Sequence, residues 1–527
     1  MTGTWQLVRL ALRRDRVMLP AWIAIFAISA ASSASTAAGL YPSLPSRIEA
    51  AQASNNTPAL VALYGLVYDP SSIGALAVLK LTGLGAALVG ILAITVVVRH
   101  TRAEEETGRL ELLGATVLGR YAGLTAALLL AVAGNAVIGV STALGMTGAG
   151  MPVAGSVAFG AGWAGVGLAF GTVAAATAQL ATGARAASGF AMATLGAAYL
   201  LRAAGDASSA HWLSWLSPVG WAQQLHPYAH ERWWVAALFP AFVLVTATAA
   251  YALAGRRDLG AGLLPDRPGP AHASRALSGP YGLAWRLQRA SFLGWAASFA
   301  VLGGVLGGVV SSADRLLDSE QAREAINRLG GGQPDLINAF LAADLSIAGV
   351  VAAAFGVQAT LRLRAEETGQ RAEPVLATAT GRLRWTASHL VVALAGTAAL
   401  MMVAGVAAGL SLAAAQHDLS RFGGVLAAAA VQLPAAWVLV GVALLAFGLV
   451  PRASVAGWVA LVIVMVVGEF GTLLGLSQWV LDISPYAHLP RLPGGAVSVP
   501  PLALLLAIAA ALLAAGLTAF RRRDLTT

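Results

Sequence analysis

Charged side chains are scarce in this chain, so the places where they gather are the places where chemistry is possible. Two such stretches say nearly the same thing. Residues 102–120 read RAEEETGRLELLGATVLGR, residues 364–382 read RAEETGQRAEPVLATATGR, and the two are identical at 10 of 19 positions. The first carries Glu104, Glu105, Glu106, Arg109, Glu111 and Arg120; the second carries Glu366, Glu367, Arg371, Glu373 and Arg382. On a helix, Glu105→Arg109 and Glu367→Arg371 are i,i+4 pairs with the acid N-terminal, the favourable order. The spacing predicts a short amphipathic helix with Leu112 and Leu113 opposite the charges. The chemistry is recognition rather than catalysis. Arginine alone would follow from a topology signal, but the acids would not, and they suit a docking surface for a partner with two equivalent faces. A solvated loop that keeps span ends out of lipid is the plainer alternative.

Other candidates are thinner. Lys80 and Glu469 fall inside apolar runs, where a charge either lines a pathway or snorkels to the interface. Gln358, Gln432 and Asn135 suit a polar path or, more simply, helix–helix hydrogen bonds. Residues 206–232 hold Trp212, Trp215, Trp221, His211, His226 and His230, an aromatic-rich outer segment. His226 and His230 are spaced for a metal, yet no Cys or acid cluster accompanies them, so no metal site is expected. Gly160-x-Gly162-x-x-Gly165 imitates a dinucleotide loop but lies in an apolar run without a strand before it, and close helix packing is the expected use. A P-loop requires G-x-x-x-x-G-K-[ST]. The only lysine is Lys80, and Leu81 follows it.

The elements that position these residues follow from composition. The 527 residues are 58% hydrophobic and 11% charged, with a mean hydropathy of +0.74. Soluble domains carry about 25% charged residues, so this is an all-α polytopic membrane protein. No alternating ten-residue segments indicate a barrel. The absence of cysteine excludes disulfides and thiol chemistry. Hydropathy predicts about twelve spans, at 17–39, 73–98, 121–144, 155–181, 186–204, 233–254, 291–312, 344–361, 386–412, 423–450, 453–474 and 499–520. The run after Arg13, Arg14 and Arg16 is spanning length and is read as a span, not a cleaved signal. With both termini in the cytoplasm, about three-quarters of the 33 basic residues fall on the inner side. The net charge of +9 thus marks topology rather than nucleic-acid binding.

The chain also repeats. Trp5-x-Leu7-x-Arg9 matches Trp285-x-Leu287-x-Arg289 before the first span of each half. Ser217-Pro218 matches Ser484-Pro485, and Arg256-Arg257-Asp258-Leu259 matches Arg522-Arg523-Asp524-Leu525. This predicts two pseudo-symmetric six-helix halves, 1–254 and 285–527, joined by an exposed cytoplasmic linker at 255–284 with Pro265, Pro268, Pro270 and Pro280. Because both copies begin and end on one side, the repeat is parallel. The N-terminal stretch with Trp5, Arg9 and Arg13, like that with Trp285 and Arg289, suits an interfacial helix against membrane lipid.

On the acidic loop after span two, the Ser-Pro segment before span six and the charged stop after it, the chain resembles the ABC-2 type permeases. Among these it is similar to the actinobacterial polyketide-antibiotic (tetronasin-like) exporter permeases. The resemblance covers the whole chain, twice. It implies that the loop after span two is a coupling helix seated in a nucleotide-binding subunit, that two copies of this cytoplasmic ATPase carry the ATP and Mg, and that this chain binds no cofactor and is no enzyme. Glu105, Glu106, Arg109, Glu111, Glu366, Glu367, Arg371 and Glu373 would face the ATPase. Pro374 replaces Leu112 in the second copy, which would shorten its helix. Ser217, Pro218, Trp221, Ser484 and Pro485 would belong to an outer gate. The expected function is a permease exporting amphipathic or hydrophobic small molecules (a drug, antibiotic, polyketide or lipid-like cargo) across the cell membrane by alternating access. An ion-coupled secondary multidrug transporter shares the repeat architecture, and a membrane-embedded enzyme would have only His226 and His230 to work with.

Overall fold

The computed structural model describes residues 2–108, 118–258, 260–264, 272, 274, 277, 279–316, 333–470, 477–490, 492–495 and 497–524. All regular structure among them is helical, and ten of their helices are long and apolar enough to cross a bilayer. The chain is a multi-pass membrane protein. It divides into two compact units, Met1–Pro268 and Gly269–Thr527.

The first unit opens with α1 (Thr4–Arg14) and α2 (Met18–Leu40). They are separate because Pro20 offers no N–H to the carbonyl four residues back and its ring crowds that carbonyl. After α3 (Leu44–Asn55) and α4 (Pro58–Tyr64), Ser72 caps α5 (Ile73–His100) by accepting from the Ala75 amide at 3.3 Å. Thr101 then breaks the helix before the turn α6 (Arg102–Glu106). The unit continues through α7 (Ala122–Gly148), α8 (Val153–Leu180), α9 (Ala184–Ala207), α10 (Trp212–Trp215), α11 (Pro218–Gln224) and α12 (Leu238–Ala254). The centre is α8, which packs on α5, α7, α9, α11 and α12. A Cβ on Gly160 would lie 2.2 Å from the Gly139 carbonyl oxygen, so the backbones of α7 and α8 touch. Gly162 meets Ala222 and Gly165 meets the Phe239 ring. The string that imitates a nucleotide loop is a packing seam.

The second unit contains α13 (Pro280–Leu316), α14 (Gln333–Thr368), α15 (Ala372–Leu376), α16 (Arg382–Gln416), α17 (Phe422–Val431) and α18 (Leu433–Leu449). It ends with α19 (Ala456–Phe470), α20 (Gln478–Leu481) and α21 (Val499–Arg522). Pro434 divides α17 from α18 by the same loss of a donor. The two units pair their helices alike. α2 packs on α7 as α13 does on α16; α5 on α8 as α14 on α18; α8 on α12 as α18 on α21.

Two of the twelve expected spans differ in kind. The helix over 186–204, α9, is long enough but less apolar, and it buries Arg202 and Asp206. At 453–474 the chain forms a 3₁₀ turn, Pro451–Val455, and then α19, whose 15 residues reach only about 22 Å at 1.5 Å each. Residues 471–476 lie outside the described residues. The stretch expected to be an exposed linker is partly fastened: the Leu263 and Leu264 amides donate to the Gln179 and Leu180 carbonyls at 3.2 and 2.9 Å. Its other end is already helical from Pro280.

Candidate functional site

The turn after α5 sends its three acids to three different elements. Glu104 pairs with Arg14 at the end of α1. Glu106 accepts from the Ala184 amide at 3.0 Å, where the N-terminus of α9 favours an anion. Glu105 turns inward. Arg257, just past α12, grips it with two parallel bonds, Nη1 to Oε2 at 2.8 Å and Nη2 to Oε1 at 2.5 Å. Both side chains are 8% exposed. Arg102 is buried and donates to the same carboxylate at 2.6 Å, while its remaining donors reach the carbonyls of Thr182, Gly260 and Ala261. Two buried guanidiniums on one carboxylate are tolerable because backbone oxygens satisfy the surplus N–H groups. Arg257 also donates from Nε to Gln179 Oε1 at 2.7 Å. Arg120 donates to the carbonyls of Gly255 and of Arg257 itself, at 2.9 and 3.2 Å. A cleft of about 190 Å³ opens among Leu7, His100, Glu105, Arg120, Gln179 and Arg257.

The second unit repeats this arrangement at the aligned positions. Glu367, buried, receives Arg523 Nη2 at 2.8 Å, and Arg382 Nη1 donates to the Arg523 carbonyl at 2.7 Å. The arginine's other support is aromatic. Its guanidinium lies 5.0 Å from the Phe447 ring centre and 5.2 Å from that of Phe520. Glu366 pairs with Arg362 at 2.7 Å and with Arg371 at 2.9 Å.

Both acids take partners that the i,i+4 spacing does not give. Glu105 belongs to Arg102 and Arg257, Glu367 to Arg523, and Arg371 to Glu366. Long-range partners are required because both acids point into the protein, where only a paired charge is stable. Arg109 and Glu111, with Leu112 and Leu113, lie outside the described residues. In the second unit the charges that face outward are Arg371 and Glu373, around the five-residue α15 that contains Pro374. The N-terminal stretches are helical. Val8 and Ala11 are buried on α1, while Trp5, Arg9 and Arg13 are exposed, with Arg9 over the Trp5 ring at 5.6 Å. Trp285 and Arg289 are exposed on α13.

Lys80 is exposed near the start of α5. Gln358 is exposed and accepts from Trp295 Nε1 at 2.9 Å. Asn135 and Gln432 are buried and donate to the carbonyls one turn back, of Ala131 and Ala428. The last two are bonds within a single helix, so only Gln358, with Trp295, joins one helix to another. The Glu469 side chain lies outside the described residues.

At the opposite end of the first unit, Ser217 caps α11 by accepting from the Val219 and Gly220 amides at 3.1 and 3.2 Å, with Pro218 in the first turn. Trp221 Nε1 donates to the Trp215 carbonyl at 2.6 Å. Beneath them Asp206 sits 3.5 Å from Arg202 and accepts from Ser214 Oγ at 2.7 Å. His226 is buried and stacks on Tyr68 with ring centres 3.7 Å apart. Burial first, and Arg232 second, push its pKa down to about 4. In the second unit Ser484 and Pro485 are buried, and Pro485 opens a single 3₁₀ turn. Among the described residues no three His, Cys, Asp or Glu side chains are grouped to hold a metal.

Sequence reasoning missed Arg102, Arg257 and Arg523 as site residues. A signal was present, since all three recur at matching places in the two repeats. Each was read as part of a topology flank, which accounts for arginine without needing a partner.

Comparison with known proteins bears on what this arrangement serves. The family described as "Multidrug efflux system permease Rv1217c, C-terminal domain" matches residues 277–521. The chain is similar to the multidrug efflux system permease protein Rv1217c of Mycobacterium tuberculosis. The two are 46% identical over 526 residues, spanning 99% of this chain and 95% of that protein.

Proposed function

Because the chain belongs to the Rv1217c family of multidrug efflux system permeases, we propose that it is the membrane subunit of an ATP-driven exporter of the ABC-2 class, close to the tetronasin-like permeases. Its cargo is an amphipathic or hydrophobic small molecule such as a drug or polyketide, moved outward by alternating access through the cell membrane. ATP and Mg are bound by two copies of a separate cytoplasmic ATPase. In each unit the acidic turn faces the cytoplasm, as do the N- and C-termini. The units derive from a duplicated six-helix ancestor.

One observation carries this reading: the acid-rich turn recurs after the second long helix of both units, tied into each by the same three residues. A single-sided enzyme site would not need to be built twice. The only lysine lies within a span, so the motor must be another chain. Walls of Ala, Leu, Val and Gly suit an apolar cargo.

The test is purification of the tagged chain from its own membranes, followed by vesicle transport of a fluorescent amphipathic drug. A co-purifying P-loop protein at two copies per chain, and vanadate-sensitive transport, are the expected results. Charge reversal of the outward-facing pair, Arg371→Glu with Glu373→Arg, should reduce co-purification several-fold. Transport by the isolated chain on a proton gradient alone would sink the reading and leave the ion-coupled alternative.

A further inference from the structure

The two buried acid–arginine pairs pose a question that docking leaves open. Glu105 and Glu367 point into the protein, so they are not surfaces for a partner. A buried ion pair is also weak as a source of stability, since apolar side chains of similar volume often do as well or better. What such a pair fixes is position. Each joins two places 152 or 156 residues apart in sequence: the end of the second long helix and the exit of the last one.

Building on the exporter reading above, we propose that Glu105–Arg257 and Glu367–Arg523 are transmission links, which force the last helix of each unit to move with the turn that the motor grips. Three observations support this. The pair occurs in both units at aligned positions. In each unit a second aligned arginine, Arg120 or Arg382, holds the backbone carbonyl of the first, so main chain and side chain of the link are both fixed. The surroundings differ, with the Gln179 amide behind Arg257 and the Phe447 ring behind Arg523. What the two units share is therefore the acid–arginine–carbonyl geometry and not its packing. In the first unit the bidentate fork resists rotation as well as separation; in the second a single charged bond is steadied by the Phe447 and Phe520 rings around the guanidinium. Arg102 adds a second tie in the first unit, from the turn to the Gly260 and Ala261 carbonyls beyond α12.

The second unit is the one tested, because Arg364, the residue aligned with Arg102, is only partly buried and donates to Ser454. The complete transporter is reconstituted in vesicles with Arg523→Met, Arg523→Lys, Glu367→Arg, or the exchange Glu367→Arg with Arg523→Glu. Drug transported per ATP hydrolysed is measured and normalised to the ATPase subunit retained. The expected result is a fall of about tenfold or more for Arg523→Met and Glu367→Arg, a smaller fall for Arg523→Lys, which keeps the charge but loses the flat guanidinium beside the Phe447 and Phe520 rings, and recovery to within about threefold in the exchange. A purely structural role would lower the yield of folded protein and leave this ratio untouched. Wild-type ratios in Arg523→Met, or an exchange no better than its single parents, would overturn the proposal while leaving the exporter reading intact. Wild-type transport that needs no nucleotide would overturn both.

Discussion

The two units use the same link at the exit of the last helix but enter the membrane differently. In the first, the chain breaks between α1 and α2, and Asp15 fills the break. It is fully buried, 3.0 Å from Arg99 Nη1 and 2.6 Å from His100 Nε2, with the Arg14–Glu104 pair alongside. In the second, α13 runs unbroken from Pro280 to Leu316. Trp295 occupies the position that aligns with Asp15, and it donates to Gln358. A break leaves orphan backbone groups and a chain that must be pinned at both ends, and charge does the pinning. A continuous helix needs only packing, and aromatic contact suffices. The same contrast appears behind the links, amide in one unit and ring in the other. One architectural plan can thus be held by ionic chemistry in one copy and apolar chemistry in the next.

The sharpest way to break this comparison is at Arg102 and its aligned partner Arg364. Arg102 is buried among one carboxylate and three carbonyls. Arg364 is only partly buried and donates to Ser454. Arg102→Met leaves Glu105 to Arg257 but strips the Thr182, Gly260 and Ala261 carbonyls of their donor, at about 2–4 kcal/mol in all, and Arg364→Met should cost about 1 kcal/mol. Thermal unfolding of the purified protein, followed by tryptophan fluorescence, would show a far larger fall in midpoint for the first. Equal falls would mean that the ionic character of the first unit is incidental.

A smaller effect should appear at the entrance. Asp15→Asn leaves Arg99 and His100 short of a partner, at about 2–3 kcal/mol. Its local signature is specific: amide exchange over residues 4–14 should quicken by about tenfold or more, while residues 280–290 stay unchanged. The reciprocal Trp295→Phe should leave both segments protected, because the α13 backbone needs no side chain to remain continuous. If α1 keeps its protection without Asp15, packing of Val8 and Ala11 holds it and the charge is secondary.

Legibility in the sequence divides along the same line. Apolar runs, Pro20 and Ser72 are local signals, so the long helices and the break after α1 can be read directly. The recurrence of the acidic turn is also a sequence fact. Its pairing is not, because Glu105 offers a nearby candidate in Arg109 and a distant one in Arg257, and only the fold brings the distant one within 2.5 Å. Arg257 and Arg523 were further hidden by having a sufficient explanation already, since arginine after a last span is what topology demands. α9 misled for another reason. Its apolar face satisfies a span pattern, while Arg202 and Asp206 mark it as a helix that buries charge inside the protein.

The smallest expected difference lies in the aromatic-rich segment between α9 and α12. His226 is buried against Tyr68 with Arg232 nearby, and its pKa is pushed down to about 4. In the unfolded chain an ordinary histidine titrates near 6.5. Below that value the unfolded chain takes up a proton which the folded protein refuses until about pH 4. The contribution of a neutral His226 is therefore complete above about 6.5, is lost progressively as pH falls to about 4, and changes no further below that. The loss amounts to about 1–3 kcal/mol. The matching stretch of the second unit carries His488, which is exposed and shares a bond with the Asp482 carbonyl at 2.8 Å. His226→Asn keeps a residue tolerant of the positive φ at this position and removes the titration. The difference in unfolding midpoint between wild type and His226→Asn should shrink or change sign between pH 6.5 and 4. A pH-independent difference at position 226 would place the neutral ring outside the forces that hold this segment, leaving Ser217, Trp221 and the Arg202–Asp206 pair to hold it.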